Sequence, residues 1–388
     1  MGDGAQLESQ IADLAHRAEL WMLNNAFPFW AERGVNPDGG FFERLDMDGF
    51  GIRDEDSRVR VQARMAISFT IAAELGWEPD RSKSLARRAL DVLVNDCRRP
   101  DGLYGKMVRP SLGLTDDTAM AYDTAFALLS FAMAYRTFGW DSARDAGEQL
   151  SQAIDQHLMR TPEEGGAAET LPTPTIRTQN PHMHLTEASL AWFEVTGETR
   201  SLERAQSIVS FVESRFYRDD LGLLVEEFDI PDQSNRAEAG HMLEWVWILG
   251  QMAKATRAKP HPLAAALYTK AQRLLDGLDY IPLAQDLDGK VLKAQQRSWS
   301  VAEKLKAHIT IWRLDHDLEI AEQIVTAGKQ MFADHIVGAL PGAWVDEIDP
   351  NSNSLIKDIT PATGYHVFQA FQELIRFSEE FSANNKVV

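Results

Sequence analysis

The chain has little that would tie it to a membrane, to nucleic acid or to an oxidising compartment. Its one cysteine, Cys97, cannot form an internal disulfide, which is typical of a reducing cytosol. Lysine and arginine number 39 against 58 acidic residues, and the net charge of −19 disfavours nonspecific binding to nucleic acid or anionic lipid. No apolar run approaches the roughly 18 residues of a membrane-spanning helix, and Met1–Gln6 lacks the features of a secretory signal. We expect a soluble, cytoplasmic protein.

Linkers and low-complexity tracts are also missing, although 388 residues would ordinarily suggest two or three domains. The chain instead repeats itself. Six glycines, each opening a short apolar run, recur at intervals of 62, 64, 56, 67 and 53 residues, and they are Gly40, Gly102, Gly166, Gly222, Gly289 and Gly342. A long period without linkers is typical of a closed or solenoid architecture. We therefore predict a single domain spanning residues 1–388.

Each repeat contains one amphipathic and one almost wholly apolar segment. The amphipathic segments are 5–24, 81–96, 142–158, 199–214, 261–277 and 316–332, and the apolar ones are 58–75, 118–138, 183–196, 238–256, 298–313 and 361–379. A helix that is apolar on every side must be buried on every side. Six buried helices inside six amphipathic ones predict an all-α (α/α)6 barrel of twelve helices, with the glycine-led runs as short β-hairpin loops at one end. An open solenoid has the same helix pairing, but its repeats are usually about 34–47 residues long.

The apolar segments carry polar residues near their starts, again at a regular interval. These are Arg64, Asp123, His184, His241, Glu303 and His366, which are 59, 61, 57, 62 and 63 residues apart. An unpaired polar group inside a protein costs about 1–3 kcal/mol, so polar residues in buried helices need a reason. In a closed ring they would lie at a similar depth around one axis, which predicts a polar pocket.

Histidines, an arginine and carboxylates in one pocket suit proton transfer. Imidazole, with a pKa near 6.5, can act as base or acid around neutrality, and two histidines on opposite walls can remove and return a proton. An arginine can stabilise an enediolate oxygen. Glu244, three residues after His241, can orient that histidine or bind sugar hydroxyls. Flat faces for a sugar are available from Trp245, Trp247, Trp299 and Trp344, although we expect Trp247 to belong to the core.

Some polar residues have structural interpretations as well. We expect Asp123 to hold a helix start, whereas Glu187 and Glu303 fit a substrate contact and a scaffold role equally well. His182 and His184 form a His-Met-His sequence that suggests a metal site. Residues i and i+2 point to different sides of a helix, so we predict no metal there.

Two motifs resemble those of a known enzyme family. Asn180-Pro-His-Met-His184 and Gly240-His-Met-Leu-Glu-Trp245 are similar to segments of the N-acylglucosamine 2-epimerase superfamily. Looser blocks follow in the same order over nearly the whole chain, at Gln62–Arg64, Tyr122–Phe126, Trp299–Glu303 and Tyr365–His366. The resemblance implies an (α/α)6 barrel that isomerises or epimerises sugars through an enediolate, without a metal or other cofactor.

The resemblance also implies roles for individual residues. The catalytic histidines of the family match His241 and His366. Substrate contacts carry over to Arg64, Asn180, His184, Glu244, Glu303, Trp299 and Tyr122. Before the last histidine the chain has Thr360-Pro-Ala-Thr-Gly-Tyr-His366, where many family members have a stretch with lysine and tryptophan. This stretch is closer to the mannose and mannose-6-phosphate isomerase members.

We therefore expect an aldose–ketose isomerase that interconverts D-mannose, or a close relative, and D-fructose. Its only expected partner is a small sugar, with no nucleic acid or membrane, and the protein is expected to be a monomer or homodimer. Basic residues flank the predicted mouth, namely Arg58, Arg60, Arg177, Arg236 and Lys357, and can bind a 6-phosphate. We favour the free sugar.

Three alternatives remain open. A 2-epimerase would use the two histidines on opposite faces of C2. An inverting glycoside hydrolase would need two carboxylates about 6.5–9.5 Å apart, for which Asp123 and Glu303 are candidates. The third alternative is a scaffold protein without catalytic activity. Such a protein would have no reason to place ionisable groups in buried helices.

Overall fold

A computed structural model describes residues 2–173, 176–228, 236–351 and 358–385. Most of this part of the chain is helical. Its α-helices are α1 (Gly2–Trp21), α2 (Phe27–Arg33), α3 (Val59–Glu74), α4 (Pro79–Asp96), α5 (Ala121–Phe138), α6 (Asp141–Ala153), α7 (Gln179–Thr196), α8 (Thr199–Arg215), α9 (Ala239–Thr256), α10 (Pro262–Leu274), α11 (Ser298–Asp315), α12 (Leu318–Gln330) and α13 (Gly364–Asn385). None of these helices has both the length and the apolar character needed to cross a membrane.

Six of the helices form a closed inner ring. Helix α3 contacts α5, and the contacts continue through α7, α9, α11 and α13 until α13 meets α3 again. The outer helices α4, α6, α8, α10, α12 and α1 each pack on the neighbouring inner helix. The inner helices are buried around their circumference, as in α9, where every residue from Ala239 to Leu249 is buried. The predicted (α/α)6 barrel is confirmed, because a solenoid would leave α3 and α13 apart.

Short strands close a second ring at the end where the inner helices begin. The strands are β1 (Ser57–Arg58), β2 (Met107–Arg109), β3 (Gly113–Asp116), β4 (Ala119–Met120), β5 (Thr170–Leu171), β6 (Arg177–Thr178), β7 (Tyr217–Arg218), β8 (Leu223–Leu224), β9 (Glu227–Phe228), β10 (Ala284–Gln285), β11 (Val291–Lys293), β12 (Gln296–Arg297) and β13 (Glu347–Ile348). Pairs β1–β2, β4–β5, β6–β9 and β12–β13 each join one repeat to the next, as does the bridge between Ala237 and Gln285. The bridge between Leu45 and Ile359 joins the last repeat to the first.

The six recurrent glycines all have positive φ angles, between 55° and 91°. At Gly40 a side chain would also overlap the Gln62 amide, which hydrogen-bonds to both backbone groups of Phe41. Pairing follows five of the glycines, as bridges or as β8 and β11. The run directly after Gly342 pairs through a single hydrogen bond from Val345 N–H to the His335 carbonyl, and strand β13 begins only at Glu347.

Helix boundaries differ from the predicted segments by a few residues. Helix α5 begins at Ala121 rather than 118, because residues 119 and 120 belong to β4. Helix α7 begins at Gln179 rather than 183, which puts Asn180 inside its first turn. Helix α2 was not predicted. It continues α1 through a π-helical turn at Met22–Ala26.

Candidate active site

The starts of all six inner helices line one cavity of about 420 Å³. Eight of the nine residues predicted to act on a sugar are in its wall, namely Arg64, Tyr122, Asn180, His184, His241, Glu244, Trp299 and His366. The ninth, Glu303, is fully buried and lies behind His366. The regular interval in the sequence therefore brings these side chains together, as predicted.

His366 is held by a buried carboxylate. Its Nδ1 lies 2.6 Å from Oε1 of Glu303, and the same oxygen lies 2.8 Å from the ammonium of Lys306. Burial lowers the pKa of His366 well below 6.5, and the positive charges of Arg64 and Lys306 lower it further. The imidazole is therefore neutral at pH 7 and can accept a proton.

His241 is in the opposite state. Its Nδ1 lies 2.9 Å from Oε2 of Glu226 and 3.3 Å from Oε2 of Glu238. Burial lowers its pKa, but the two carboxylates outweigh burial and raise the pKa to about 10. The imidazole is therefore protonated at pH 7 and can donate a proton.

Trp299 lies against both histidines. Its indole stacks on His241 with ring centroids 4.8 Å apart and an interplanar angle of 24°, and its centroid is 6.0 Å from that of His366. The two imidazoles therefore face one cavity, although 125 residues separate them in the chain.

A second polar group surrounds Arg64. Its guanidinium donates to the Ala362 carbonyl at 2.7 Å and to the Tyr122 hydroxyl at 2.6 Å. The Tyr365 hydroxyl lies 3.3 Å from Nδ1 of His184 and 3.4 Å from Oε1 of Glu244. These groups are hydrogen-bonded to one another, which fixes their positions before a sugar arrives.

Burial controls the charges in this group. It lowers the pKa of His184 to about 4, against the opposing effect of Glu187. It raises the pKa of Glu244 well above 4.5, and the nearby Glu303 raises it further. We expect His184 to be neutral, and we expect Glu244 to give up its proton less readily than an ordinary carboxyl group. Both side chains can form hydrogen bonds with sugar hydroxyls.

Asp123 does not line this cavity. It is fully buried and accepts hydrogen bonds from the backbone N–H of Arg60 at 3.0 Å and from its guanidinium at 2.8 Å. It therefore holds the start of α3, as expected from the structural interpretation. Asp123 and Glu303 do not face a common sugar, so these two residues are not the carboxylate pair of an inverting hydrolase.

Other candidates also point away from the sugar cavity. His182 Nδ1 lies 2.8 Å from the Thr178 carbonyl, and its Nε2 accepts from the Ala167 N–H at 3.0 Å, so it cannot share a metal with His184. Three of the four tryptophans proposed as sugar platforms are occupied elsewhere. Trp245 donates to Gln179, Trp344 donates to Thr363, and Trp247 packs under Lys306. Only Trp299 remains of the four.

Three of the five basic residues predicted at the mouth are paired with acidic groups. Arg58 pairs with Glu43, Arg60 with Asp123, and Arg236 with Glu227 and Glu238. Arg177 donates to the Gly165 carbonyl at 2.9 Å. Lys357 lies outside the described residues. Arg297 also lines the cavity. It was not among the predicted basic residues, and it pairs with Asp346.

Several residues of the site were not predicted from the sequence. Glu226 and Tyr365 contact the histidines, and Lys306 contacts Glu303, but none of the three was predicted to act there. A signal for Glu226 does exist, because an acidic residue stands three or four positions after four of the recurrent glycines, at Glu43, Glu169, Glu226 and Asp346. Each of these acids binds a residue at or just before the start of an inner helix.

Three groups of buried side chains in this region have the composition of a metal site. They are His184, Glu187 and Glu244; Glu226, Glu238 and His241; and Glu244, Glu303 and His366, with ligand atoms within 4.8 Å of one another. The ammonium of Lys306 already supplies a positive charge to the third group. The predicted metal-free site stays a prediction.

A larger cavity, of about 1440 Å³, opens at the other end of the barrel. Its charged residues neutralise one another, as in the pairs Glu74–Arg136 and Arg313–Glu373, both 2.7 Å apart. It has no histidine in its wall. By size alone, this larger cavity would be the candidate active site. The side chains that can transfer protons, however, line the smaller cavity where the inner helices begin.

Comparison with known proteins agrees with the geometry. Residues 40–370 match the N-acylglucosamine 2-epimerase (GlcNAc 2-epimerase) family. The chain is 30% identical to a mannose-6-phosphate isomerase of Rhizobium meliloti (strain 1021), over 96% of this chain and 98% of the relative. It is 26% identical to a D-mannose isomerase of Thermobifida fusca, over 92% and 94%.

Solved structures show the same architecture. The cellobiose 2-epimerase of Spirochaeta thermophila DSM 6192 superimposes with a TM-score of 0.84 at 18% identity, over 95% of this chain and 98% of that one. At this identity the likeness concerns the fold. Together with the match across residues 40–370, it makes this chain a sugar isomerase or epimerase of the N-acylglucosamine 2-epimerase family.

Proposed function

We propose that the protein is an aldose–ketose isomerase that converts free D-mannose, or a close relative, into D-fructose. The observation that carries this proposal is the pairing of one neutral and one protonated histidine, His366 and His241, around a single cavity. An isomerase needs a base for a carbon-bound proton and an acid for an oxygen. The names of the two isomerase relatives support this choice over epimerisation.

Ring opening is the first step. The C1–O5 bond breaks as the imidazolium of His241 donates a proton to the ring oxygen. The C1 hydroxyl proton passes to solvent, from which His241 is reprotonated, and the product is the open-chain aldehyde. Glu226 stabilises the imidazolium and holds its orientation through the 2.9 Å contact at Nδ1. Trp299, stacked on the same ring, offers an apolar face to the sugar C–H groups.

Proton transfer between carbons follows. His366 removes the proton from C2, the electrons form a C1=C2 double bond, and the aldehyde oxygen becomes an enediolate oxygen. The imidazolium of His241 gives a proton to the enediolate oxygen O1. The neutral imidazole of His241 then takes the O2 proton as C2=O2 forms, and protonated His366 returns its proton to C1. The net result moves one hydrogen from C2 to C1 and one from O2 to O1, so no oxidant or reductant is needed.

The enediolate requires positive charge nearby. Arg64 provides it, because its guanidinium is buried, charged and fixed by hydrogen bonds to Ala362 and Tyr122. Lys306 adds a second buried positive charge behind Glu303. We therefore propose a reaction without metal or cofactor.

The paired arginines favour a free sugar over its 6-phosphate. A phosphate carries nearly two negative charges and binds best to arginines that lack another anion. Arg58, Arg60 and Arg236 all contact carboxylates within the protein. We expect kcat/KM to be higher for mannose than for mannose 6-phosphate.

Incubation with mannose in deuterated water tests the proposal. We expect NMR to show fructose with deuterium at C1, because a base open to solvent exchanges its proton before returning it. His366→Asn should abolish both turnover and labelling, while the exposed His16→Asn serves as control. Unlabelled fructose would contradict an exchanging base, and no ketose from any mannose-type sugar would remove the assignment.

The rival function is that of a 2-epimerase. The family match and the structural similarity to a cellobiose 2-epimerase both support it. The same two histidines serve it if protonated His241 gives a proton to the opposite face of C2. The product distinguishes the two, because an epimeric aldose would form ahead of any ketose.

A further inference from the structure

Lys306 is a fully buried lysine in α11, one helical turn after Glu303. Its ammonium lies 2.8 Å from Oε1 of Glu303, 3.2 Å from Oε1 of Gln369 and 3.9 Å from the centroid of the Trp247 ring. Lysine is almost never fully buried unless it is paired. All three contacts suit a positive charge. The lysine is therefore held here by its ammonium group and does not merely fill space.

Glu303 uses one oxygen for two partners. Oε1 lies 2.6 Å from Nδ1 of His366 as well as 2.8 Å from Nζ of Lys306, while Oε2 has no hydrogen-bond partner among the described residues. An ammonium has only donors, so Oε1 accepts from Lys306. The ionised carboxylate then also accepts from Nδ1–H of His366, which leaves the lone pair of the imidazole on Nε2.

The alternative proton arrangement would disable the base. A neutral Glu303 would donate its proton to Nδ1, and the hydrogen of the imidazole would move to Nε2. Burial raises the pKa of Glu303 to about 7, and Lys306 is the strongest influence in the opposite direction. Without the charge of the lysine the pKa of Glu303 would be higher still, so the arrangement with a neutral Glu303 would gain near neutral pH.

Other charged groups face the same cluster from the neighbouring helices. They are Arg64 on α3, His184 and Glu187 on α7, His241 and Glu244 on α9, and Tyr365 on α13. Of the two carboxyl groups among them, Glu187 disfavours a negative charge on Glu303, and both groups favour the positive charge of Lys306. They make the ionised state of Glu303 more dependent on the lysine.

We propose that Lys306 is a positioning residue, which keeps Glu303 ionised and so keeps the basic nitrogen of His366 on Nε2. Its effect on turnover rests on the function proposed above. Its effect on the histidine tautomer does not, because it concerns the protein without sugar.

Nitrogen NMR of protein labelled at histidine tests the tautomer directly. In the unmodified protein at pH 8 we expect His366 to carry its hydrogen on Nδ1. In Lys306→Met at the same pH we expect a substantial fraction with hydrogen on Nε2, whereas Lys304→Met on the same helix should match the unmodified protein. An unchanged His366 signal in Lys306→Met would overturn the proposal, even if the protein acted on no known sugar.

The pH dependence of turnover provides the second test. At pH 7 Lys306→Met should lower kcat about a hundredfold with little change in KM, and the acid limb of its pH profile should move to higher pH. Part of the activity should return at alkaline pH, when Glu303 ionises without the lysine. A uniform loss at all pH values would indicate a merely structural role and would contradict the proposal.

A double variant covers the case in which the single variant does not fold. Glu303→Gln with Lys306→Met removes both charges together, so no buried charge is left unpaired. If Lys306 acts through Glu303, this protein should have the same kcat as Glu303→Gln alone. A further tenfold loss in the double variant would show an independent role and overturn the proposal.

Discussion

At the residue scale, the site depends on two similar imidazoles with opposite charges. Burial acts on both and disfavours the charged form. His241 overcomes burial because Glu226 and Glu238 lie within 3.3 Å of its Nδ1, whereas His366 faces the positive charges of Arg64 and Lys306. The division of roles between acid and base therefore follows from neighbours outside the two histidine motifs.

Replacing Glu226 should move the alkaline limit of activity. The pKa of His241 is about 10 in the folded protein, mainly because of Glu226, so the acid is lost only above that pH. In Glu226→Gln the pKa falls, and the alkaline limb of kcat/KM should shift to lower pH by about one unit or more. The same pairing stabilises the fold below pH 6.5, and this stabilisation is lost as pH rises through 10.

The measurement is kcat/KM between pH 6 and 11, with Glu227→Gln as the control in the adjacent position. Glu227 pairs with Arg236 and not with His241. An alkaline limb that stays in place in Glu226→Gln would exclude His241 as the titrating acid.

At the element scale, helix starts determine where the site residues point. Asp123 accepts two hydrogen bonds from Arg60 in the first turn of α3, the helix that also carries Arg64. Asp123→Asn leaves a partly buried guanidinium without its carboxylate, and we expect a loss of about 2–4 kcal/mol in the free energy of unfolding. The remaining folded protein should keep most of its kcat.

Urea unfolding and kcat per folded molecule separate the two effects, with the exposed Asp117→Asn as control. A loss of kcat of a thousandfold with unchanged stability would mean that Asp123 acts on the substrate.

Glycines with positive φ angles are a second feature to test at the element scale. Gly40 and Gly76 both have positive φ, 55° and 79°, but only Gly40 has neighbours that a side chain would overlap. Gly76→Ala should cost about 1–2 kcal/mol for its backbone conformation alone. Gly40→Ala should cost at least about 1–3 kcal/mol more, because it displaces Gln62 from the backbone of Phe41. Equal losses by thermal or urea unfolding would contradict this explanation.

How far the sequence predicts the structure depends on the type of pattern. Buried helices such as α9 are predictable because they are apolar on all sides, and the regular interval of Arg64, His184 and His366 places them in one cavity. Lys306 was not predictable, because its partners on α9 and α13 are known only once the barrel closes. Trp245 was misjudged as a sugar platform for the same reason, since composition does not say which side of a buried helix faces the sugar.

At the scale of the whole molecule, closure of the ring is what brings distant residues into one site. Helix α13 contacts α1, α3 and α11, and Leu45 and Ile359 exchange two backbone hydrogen bonds of 2.8 Å. The two ends of the chain are thus parts of the barrel wall. In an open solenoid the terminal repeats would contact a neighbour on one side only and would unfold first.

Phe371 on α13 offers a test of this closure. Its fully buried ring packs edge-on against Trp21 of α1 at 5.7 Å and stacks on Phe332 at 5.2 Å. Phe371→Ala should lower the free energy of unfolding by about 3–5 kcal/mol, because it leaves a cavity between the first and last helices.

In a closed ring this loss of stability must appear in every repeat. Hydrogen exchange at low urea should therefore show the amides of α7, on the far side of the ring, losing as much protection as those of α13. The exposed Phe50→Ala should change neither. Loss of protection confined to α13 and α1 would mean that the ends unfold independently and that closure contributes little to holding the site together.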